Sequence, residues 1–422
     1  MRSSMLRLWV GLVIAGAAGT AEAADASSRL HYFAFKGTDV ISSNKPDVAV
    51  NPASVVKVGT SLWALETLGA NHRYTTAFGT TADWDPETGV LEGDLVVYGG
   101  GDPDFQLENA FLVARELDRL GLRRVEGALR VVGTFWCGWE KGMQYRQTDP
   151  VERGELMGRR LRAAFDPRRW SRSTESAWRA MATRRGWNVR DRVRIAITGG
   201  VEVAVPNGFE PLVVHRSNRL ADLLRRFNVY SNNDIIRVAE GIGEVAEMEA
   251  FLTERLQAEP GQIELATASG ELRNRMSVRL MTRLLTELAY EGVEQDVELR
   301  YLLPAIGCDP GHTRKMFPSL AQAPLTGTVT CKTGTLTHTD GGVAVLAGTF
   351  SAADGEPVVF AIAAPRAGHS LQYWRMLEQR WVMALMEEQG GAIAVPCGKG
   401  LPFSDTFAEV DVILAEVPSV EK

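Results

Sequence analysis

Long apolar runs, net basic charge, grouped histidines and internal repeats are all scarce in this 422-residue chain, and each shortage removes a class of function. Past the stretch from Leu8 to Ala18, no segment offers the roughly 20 uninterrupted apolar residues that a membrane helix needs, so no later span is expected. A formal net charge of −6 argues against nucleic acid as a partner, because phosphate binding relies on a basic face. The six histidines, His31, His72, His215, His312, His338 and His369, share no ligand-type spacing with one another or with the cysteines. No metal and no other cofactor is therefore expected. Cysteine is also sparse. Cys137, Cys308, Cys331 and Cys397 allow three pairings, or none with buried free thiols, and the sequence does not choose among them.

What is present begins with an export pattern. Arg2 and Arg7 precede the apolar stretch, and Ala21-Glu22-Ala23 has the small-x-small form of a cleavage site, so residues 1–23 read as a signal peptide and the mature chain as an exported, periplasmic or cell-envelope protein. About 400 mature residues exceed what one core usually serves, so two domains are expected. Residues 24–72 and 212–422 read as one discontinuous domain, and 73–211 as a mixed α/β insertion within it. The first part carries strand signals at Leu30 to Phe35 and Asp39 to Ala49, then switches to helical spacing at Val55, Val58, Leu62 and Leu65. The insertion has short strand-like runs at Asp94 to Tyr98, Gly127 to Val132, Val193 to Thr198 and Val201 to Val205. Its Gly99 to Pro103 cluster reads as a tight turn, and its arginine-rich stretch from Arg153 to Arg194 as solvated helix faces. Helical periodicity returns over Ser217 to Gly241 and Met276 to Tyr290. Alternating strands follow at Gly327 to Thr337, Val343 to Phe350 and Val358 to Ala364, with Asp354-Gly355 as a hairpin turn, and a helix from Leu371 to Glu388 closes the domain.

Amide hydrolysis by a serine needs a hydroxyl in a water-poor place, a base for its proton and donors for the developing oxyanion. Ser54-Val55-Val56-Lys57 supplies the first two, since residues three apart on a helix share a face and burial would lower the lysine pKa. Alone the signal is weak, because Ser42-Ser43-Asn44-Lys45 has the same spelling in a turn. Two distant segments strengthen it. Ser231-Asn232-Asn233 places a second hydroxyl, suited to relaying a proton to a leaving amine, two residues before an amide that can donate to a substrate carbonyl. Lys332-Thr333-Gly334-Thr335 offers a cation and hydroxyls for a substrate carboxylate, with a glycine that permits close backbone approach. If that strand lies at a sheet edge, a peptide can add to it, and the Thr335 amide can join the Ser54 amide in an oxyanion hole. Cys331, one residue before the lysine, should face the core instead.

In this order, Ser54-x-x-Lys57, Ser231-x-Asn233 and Lys332-Thr333-Gly334 resemble the active-site triplet of penicillin-binding proteins and serine β-lactamases. More narrowly, the chain resembles the D-alanyl-D-alanine carboxypeptidase/endopeptidase family typified by penicillin-binding protein 4. Asn51-Pro52-Ala53-Ser54, Gly99 to Pro103, Ser269-Gly270, Asn274-Arg275-Met276-Ser277, Leu302-Leu303-Pro304, Lys332 to Leu336 and Leu346-Ala347-Gly348 carry that likeness. The resemblance implies an α+β, transpeptidase-like fold, an antiparallel sheet flanked by helices and split by an inserted domain. It also implies acylation of Ser54 by stem peptides of peptidoglycan that end in D-Ala-D-Ala, and by β-lactam antibiotics.

Three segments depart from the family pattern. The usual Ser-Gly-Leu-Ser-Arg is here Ser269-Gly270-Glu271-Leu272-Arg273, Phe135 to Pro150 has no clear counterpart, and Arg237 stands where an acidic residue is common. Two other readings of the triplet stay open at this level. One is a related esterase, amidase or β-lactamase; the other is a wall-binding homologue that turns over little.

Overall fold

The computed structural model describes residues 29–413 apart from 86, 141, 142, 144, 145, 206–208, 366–368 and 399. The export signal read at residues 1–23 lies outside the described residues. Chain contacts divide the molecule into two compact units. The first comprises residues 1–63, 228–231 and 244–399, and the second 64–227, 232–243 and 400–422. Residues 73–211 all fall in the second unit. That unit also includes 64–72, 212–227, 232–243 and 400–422.

The first unit is built on a five-stranded antiparallel sheet of β1 (His31–Lys36), β2 (Asp39–Asn44), β3 (Val329–Leu336), β4 (Val343–Ser351) and β5 (Pro357–Pro365), in the order β3-β4-β5-β1-β2. The alternating apolar residues of β3 to β5 drive this arrangement. Val329, Cys331, Leu346, Phe350, Val358, Phe360 and Ile362 are buried with Trp374, Val382, Leu385 and Met386 of the helix Leu371–Glu388. Cys331 thus sits in the core, as its place in the alternation requires. The helix Val278–Glu294 is capped by Ser277, whose hydroxyl accepts from the Leu280 amide at 3.2 Å, and it packs against β1, β4 and β5. Cys308 and Cys397 form a disulfide, while Cys137 and Cys331 are buried free thiols, so one bridge answers the pairing left open by the sequence.

Because β3 ends the sheet, one of its edges faces away from β4. Residues 304–306 cover the beginning of that edge. The Ile306 amide donates to the Val329 carbonyl, the Cys331 amide donates to Pro304, and Ala305 bridges Thr330. Pairing of β3 with β4 runs without a register shift from Val329 to Leu336. In an antiparallel strand every second amide points the same way, so the Thr333 and Thr335 amides are directed off the sheet edge like that of Cys331.

The second unit carries a six-stranded mixed sheet in the order Val201–Val203, Leu129–Thr134, Leu95–Gly100, Thr75–Thr80, Glu210–Arg216 and Glu409–Val412. Its helices Leu107–Arg119, Pro150–Phe165 and Arg172–Arg184 share a core with it that includes Phe78, Phe105, Phe111, Met157 and Trp178. The glycines after Leu95 have a steric cause: a Cβ on Gly99 would lie 2.4 Å from the Thr134 carbonyl, and one on Gly100 2.4 Å from that of Thr75. Two departures from the family pattern prove to be one interaction. The Arg237 guanidinium is fully buried, donates to Glu140 at 3.0 Å, lies 3.7 Å from Asp234 and caps the Trp136 ring at 4.3 Å. Removing one partner of such a group leaves the others charged and dry. Arg237→Met is expected to lower stability by about 3–5 kcal/mol in urea denaturation, and adding Glu140→Gln should restore part of that loss.

Candidate active site

Ser54 sits on a strained turn. Ala53, just before it, has φ of 47°, a left-handed conformation that costs a non-glycine residue energy, and its amide donates to Asn51 Oδ1 at 3.0 Å. The chain then passes through the 3₁₀ turn Ala53–Val55 directly into the helix Val56–Leu68. Valines and a threonine in that helix are poor helix formers. Burial holds it instead: Val55, Val56, Val58, Leu62, Ala64 and Leu65 are all fully buried. On this helix Lys57 reaches back one turn, and its Nζ donates to Ser54 Oγ at 2.9 Å and to the Ser269 carbonyl.

The second hydroxyl is also held on a strained residue. Ser231 has φ of 50°, and its Oγ accepts from Lys332 Nζ at 2.8 Å, while Lys332 also donates to the Thr333 carbonyl at 2.9 Å. Ser54, Ser231, Thr333 and Thr335 line one cavity of about 220 Å³, with Asn228, Tyr230, Pro304, His312 and Met316 among its other walls. Gly334 is pressed against the nucleophile turn, where a Cβ would lie 2.6 Å from the Pro52 carbonyl and 3.2 Å from the Ser54 amide. Only glycine permits that approach. Three segments far apart in sequence therefore converge within the first unit. Asn233 belongs to the second unit, where it opens the 3₁₀ turn Asn233–Ile235.

Both lysines are buried, and burial disfavours their charged form. It lowers Lys57 well below the ordinary lysine range, the Lys332 charge pushes the same way, and Glu271 opposes. Burial likewise brings Lys332 down to about 7, with Arg375 contributing. The result is a hydroxyl beside an amine that is able to be neutral, and a second hydroxyl beside an amine that titrates near neutrality. Such an arrangement can move a proton off one oxygen and deliver one elsewhere.

Three contributors escaped sequence reasoning. The Ser269 carbonyl is a backbone group, and only the neighbouring glycine hints at it: Gly270 has φ of 84°, and a Cβ there would lie 2.0 Å from the Ala53 carbonyl. Thr313 lines the cavity from a four-residue helix, too short to show any periodicity. Arg375, on the closing helix, donates to the Gly334 carbonyl at 2.6 Å and to Thr335 Oγ1 at 2.5 Å, and pairs with Glu378 at 2.7 Å. Its spacing with Glu378 resembles any helical ion pair, so nothing marked it as a support of the strand.

The model of the D-Ala-D-Ala carboxypeptidase 3 (S13) family matches residues 34–152 and 185–373. Among solved structures, a predatory peptidoglycan endopeptidase from Bdellovibrio bacteriovorus aligns with a TM-score of 0.74 at 19% identity, covering 90% of this chain and 98% of that one. A penicillin G-acylated predatory endopeptidase from the same organism, in complex with an immunity protein, gives 0.70 at 20%, over 90% and 98%. Penicillin-binding protein 4 from Haemophilus influenzae gives 0.61 at 20%, over 85% and 96%. At these identities the likeness concerns the fold, and it agrees with the α+β, transpeptidase-like architecture expected from the sequence. The two depressed lysines are checked by NMR of protein labelled with [ε-¹³C]lysine. Two resonances should titrate far below the bulk lysines, the one near pH 7 vanishing in Lys332→Met and the other in Lys57→Met.

Proposed function

The chain belongs to the D-Ala-D-Ala carboxypeptidase 3 (S13) family, and on that premise we propose that Ser54 is the nucleophile of a serine D-Ala-D-Ala peptidase acting on peptidoglycan stem peptides. The observation that carries the assignment is the 2.9 Å hydrogen bond from a buried Lys57 to Ser54 Oγ. Neutral Lys57 takes the Ser54 proton as the oxygen attacks the carbonyl of the penultimate D-Ala. The Ser54 and Thr335 amides hold the developing oxyanion, a role for which the outward direction of the Thr335 amide is suited. As the C–N bond breaks, Ser231 passes a proton to the departing amine and is resupplied by Lys332. The proton held by Lys57 passes to Lys332, which leaves Lys57 neutral; Lys57 then takes a proton from the water that attacks the Ser54 ester and returns it to Ser54 Oγ as the C–O bond breaks.

The terminal carboxylate of the substrate lies against Thr333, Thr335 and the Lys332 charge. Thr335 Oγ1 accepts from Arg375, which leaves its own proton to donate outward. Gly334 keeps the strand backbone open to the peptide, which adds along the uncovered part of the edge. A β-lactam enters the same site, a reading supported by the penicillin G-acylated form of the similar Bdellovibrio endopeptidase. The first unit serves as the catalytic domain and the second as the inserted one. Among the described residues no helix is long and apolar enough to cross a membrane. Together with the pattern of residues 1–23, the family's wall substrate supports export to the cell envelope.

Fluorescent penicillin should label the wild type and not Ser54→Ala, and a pentapeptide stem should lose the mass of one alanine residue as free D-Ala is released. Label persisting in Ser54→Ala removes Ser54 from the mechanism, whereas labelling without peptide cleavage transfers the site to another acyl substrate or to wall binding. Protonation of Lys57 should impose an acid limb on kcat/KM, and loss of the Lys332 charge an alkaline limb near pH 7. Lys332→Arg, which keeps the charge but cannot give up its proton, should lower kcat at every pH, because Ser231 is then not resupplied.

A further inference from the structure

Glu271 occupies the place of an apolar residue in the family pattern, yet it stands in the loop that holds the base. The loop is rigid. Asn274 Oδ1 accepts from the amides of Ala266 at 2.8 Å and Thr267 at 3.3 Å, and its Nδ2 donates to the Glu271 carbonyl at 2.8 Å. Thr267 Oγ1 donates to that same carbonyl at 2.9 Å and accepts from the Gly270 amide at 3.1 Å. Asn51 Nδ2 donates to the Leu272 carbonyl at 2.9 Å, and Thr60 Oγ1, one turn beyond Lys57, to the Ala268 carbonyl at 2.5 Å. Ser269 is the hinge of the contact: its carbonyl receives Lys57 Nζ, while its Oγ donates to Glu271 Oε2 at 3.2 Å. The carboxylate is thereby anchored through one residue to the amine.

We propose that Glu271 is a charge-balancing and positioning residue for Lys57, setting how far the pH can fall before the Ser54 base becomes protonated. This rests on the reading of Ser54 and Lys57 as nucleophile and base. The charged groups acting on Lys57 are Lys332, from the edge strand, and Glu271, from the loop. A cation beside Lys57 favours its neutral form and an anion favours the ammonium form. Glu271 therefore offsets Lys332. It leaves the base a stronger proton acceptor, and the price is a requirement for higher pH.

The sign follows directly. Neutralising Glu271 removes the anion that favours the Lys57 ammonium, so Glu271→Gln and Glu271→Leu should both carry the acid limb of penicillin acylation to lower pH, by about one unit. Acylation of Ser54 by fluorescent penicillin is followed by stopped flow across the pH range. Glu271→Asp, which keeps the charge, should leave the limb within about 0.3 units of wild type. A carboxylate that only braces the loop would lower the rate equally at every pH with the limb in place, and that result, or a limb moving upward, overturns the proposal. If the wild type itself fails to label at Ser54, the underlying reading fails instead, so the two failures are told apart. The resonance that vanishes in Lys57→Met should fall by the same amount in Glu271→Gln, which checks the cause without turnover.

Discussion

A primary amine taken wholly out of water, with a hydroxyl on one side and a backbone carbonyl on the other, is the constraint around which the first unit is organised. An isolated ammonium would be costly there, and the fold meets the cost by letting Lys57 exist uncharged beside Ser54. Each neighbouring element has a part in that. The Val56–Leu68 helix is apolar enough to be buried, Ala53 is strained so that Ser54 faces the amine, and the loop at Ser269 accepts the second hydrogen bond. The edge strand brings Lys332, a second buried amine whose charge makes protonation of the first harder.

Strain and close approach recur at the same points. Two of the non-glycine residues with positive φ, Ala53 and Ser231, precede or carry the hydroxyls of the site, and Gly270 and Gly334 lie where a methyl group would strike the nucleophile turn. Such conformations persist only where the surroundings over-determine them. Here the surroundings include the Asn51 acceptor for Ala53 and the Arg375 donors behind Gly334, both polar side chains buried for the sake of backbone position. Geometry at the reacting hydroxyl is thus held from beneath by groups that touch no substrate.

Much of this was readable in the sequence, for reasons that differ by element. Ser54 and Lys57 are three residues apart, so helical periodicity alone joins them. β3 to β5 alternate cleanly and are linked by a hairpin turn, and β3 was foreseen as a possible edge. Ser231 was legible because it interrupts two helical runs. The second unit was harder. Thr75–Thr80 contains a glycine, Glu210–Arg216 a proline, and Glu409–Val412 is four residues long, so their strand character comes from partners distant in sequence. Arg237 and the segment Phe135 to Pro150 each looked anomalous, because the pair of Arg237 with Glu140 is invisible until both ends are seen together. The cysteine spacing singles out no bridge, and only the fold joins Cys308 to Cys397 and leaves Cys137 and Cys331 as free thiols.

The strand Glu409–Val412 closes the edge of a sheet whose other members lie between Thr75 and Arg216. Synthesis proceeds from one end, so the second unit cannot finish its hydrogen bonding as it emerges. Glu210–Arg216 must wait, one side unpaired, while residues 217–408 are still being made. An exposed strand edge of this kind invites pairing with other chains. The sheet is therefore most open to pairing with other chains before Glu409–Val412 arrives, and loss of that strand would leave the edge open.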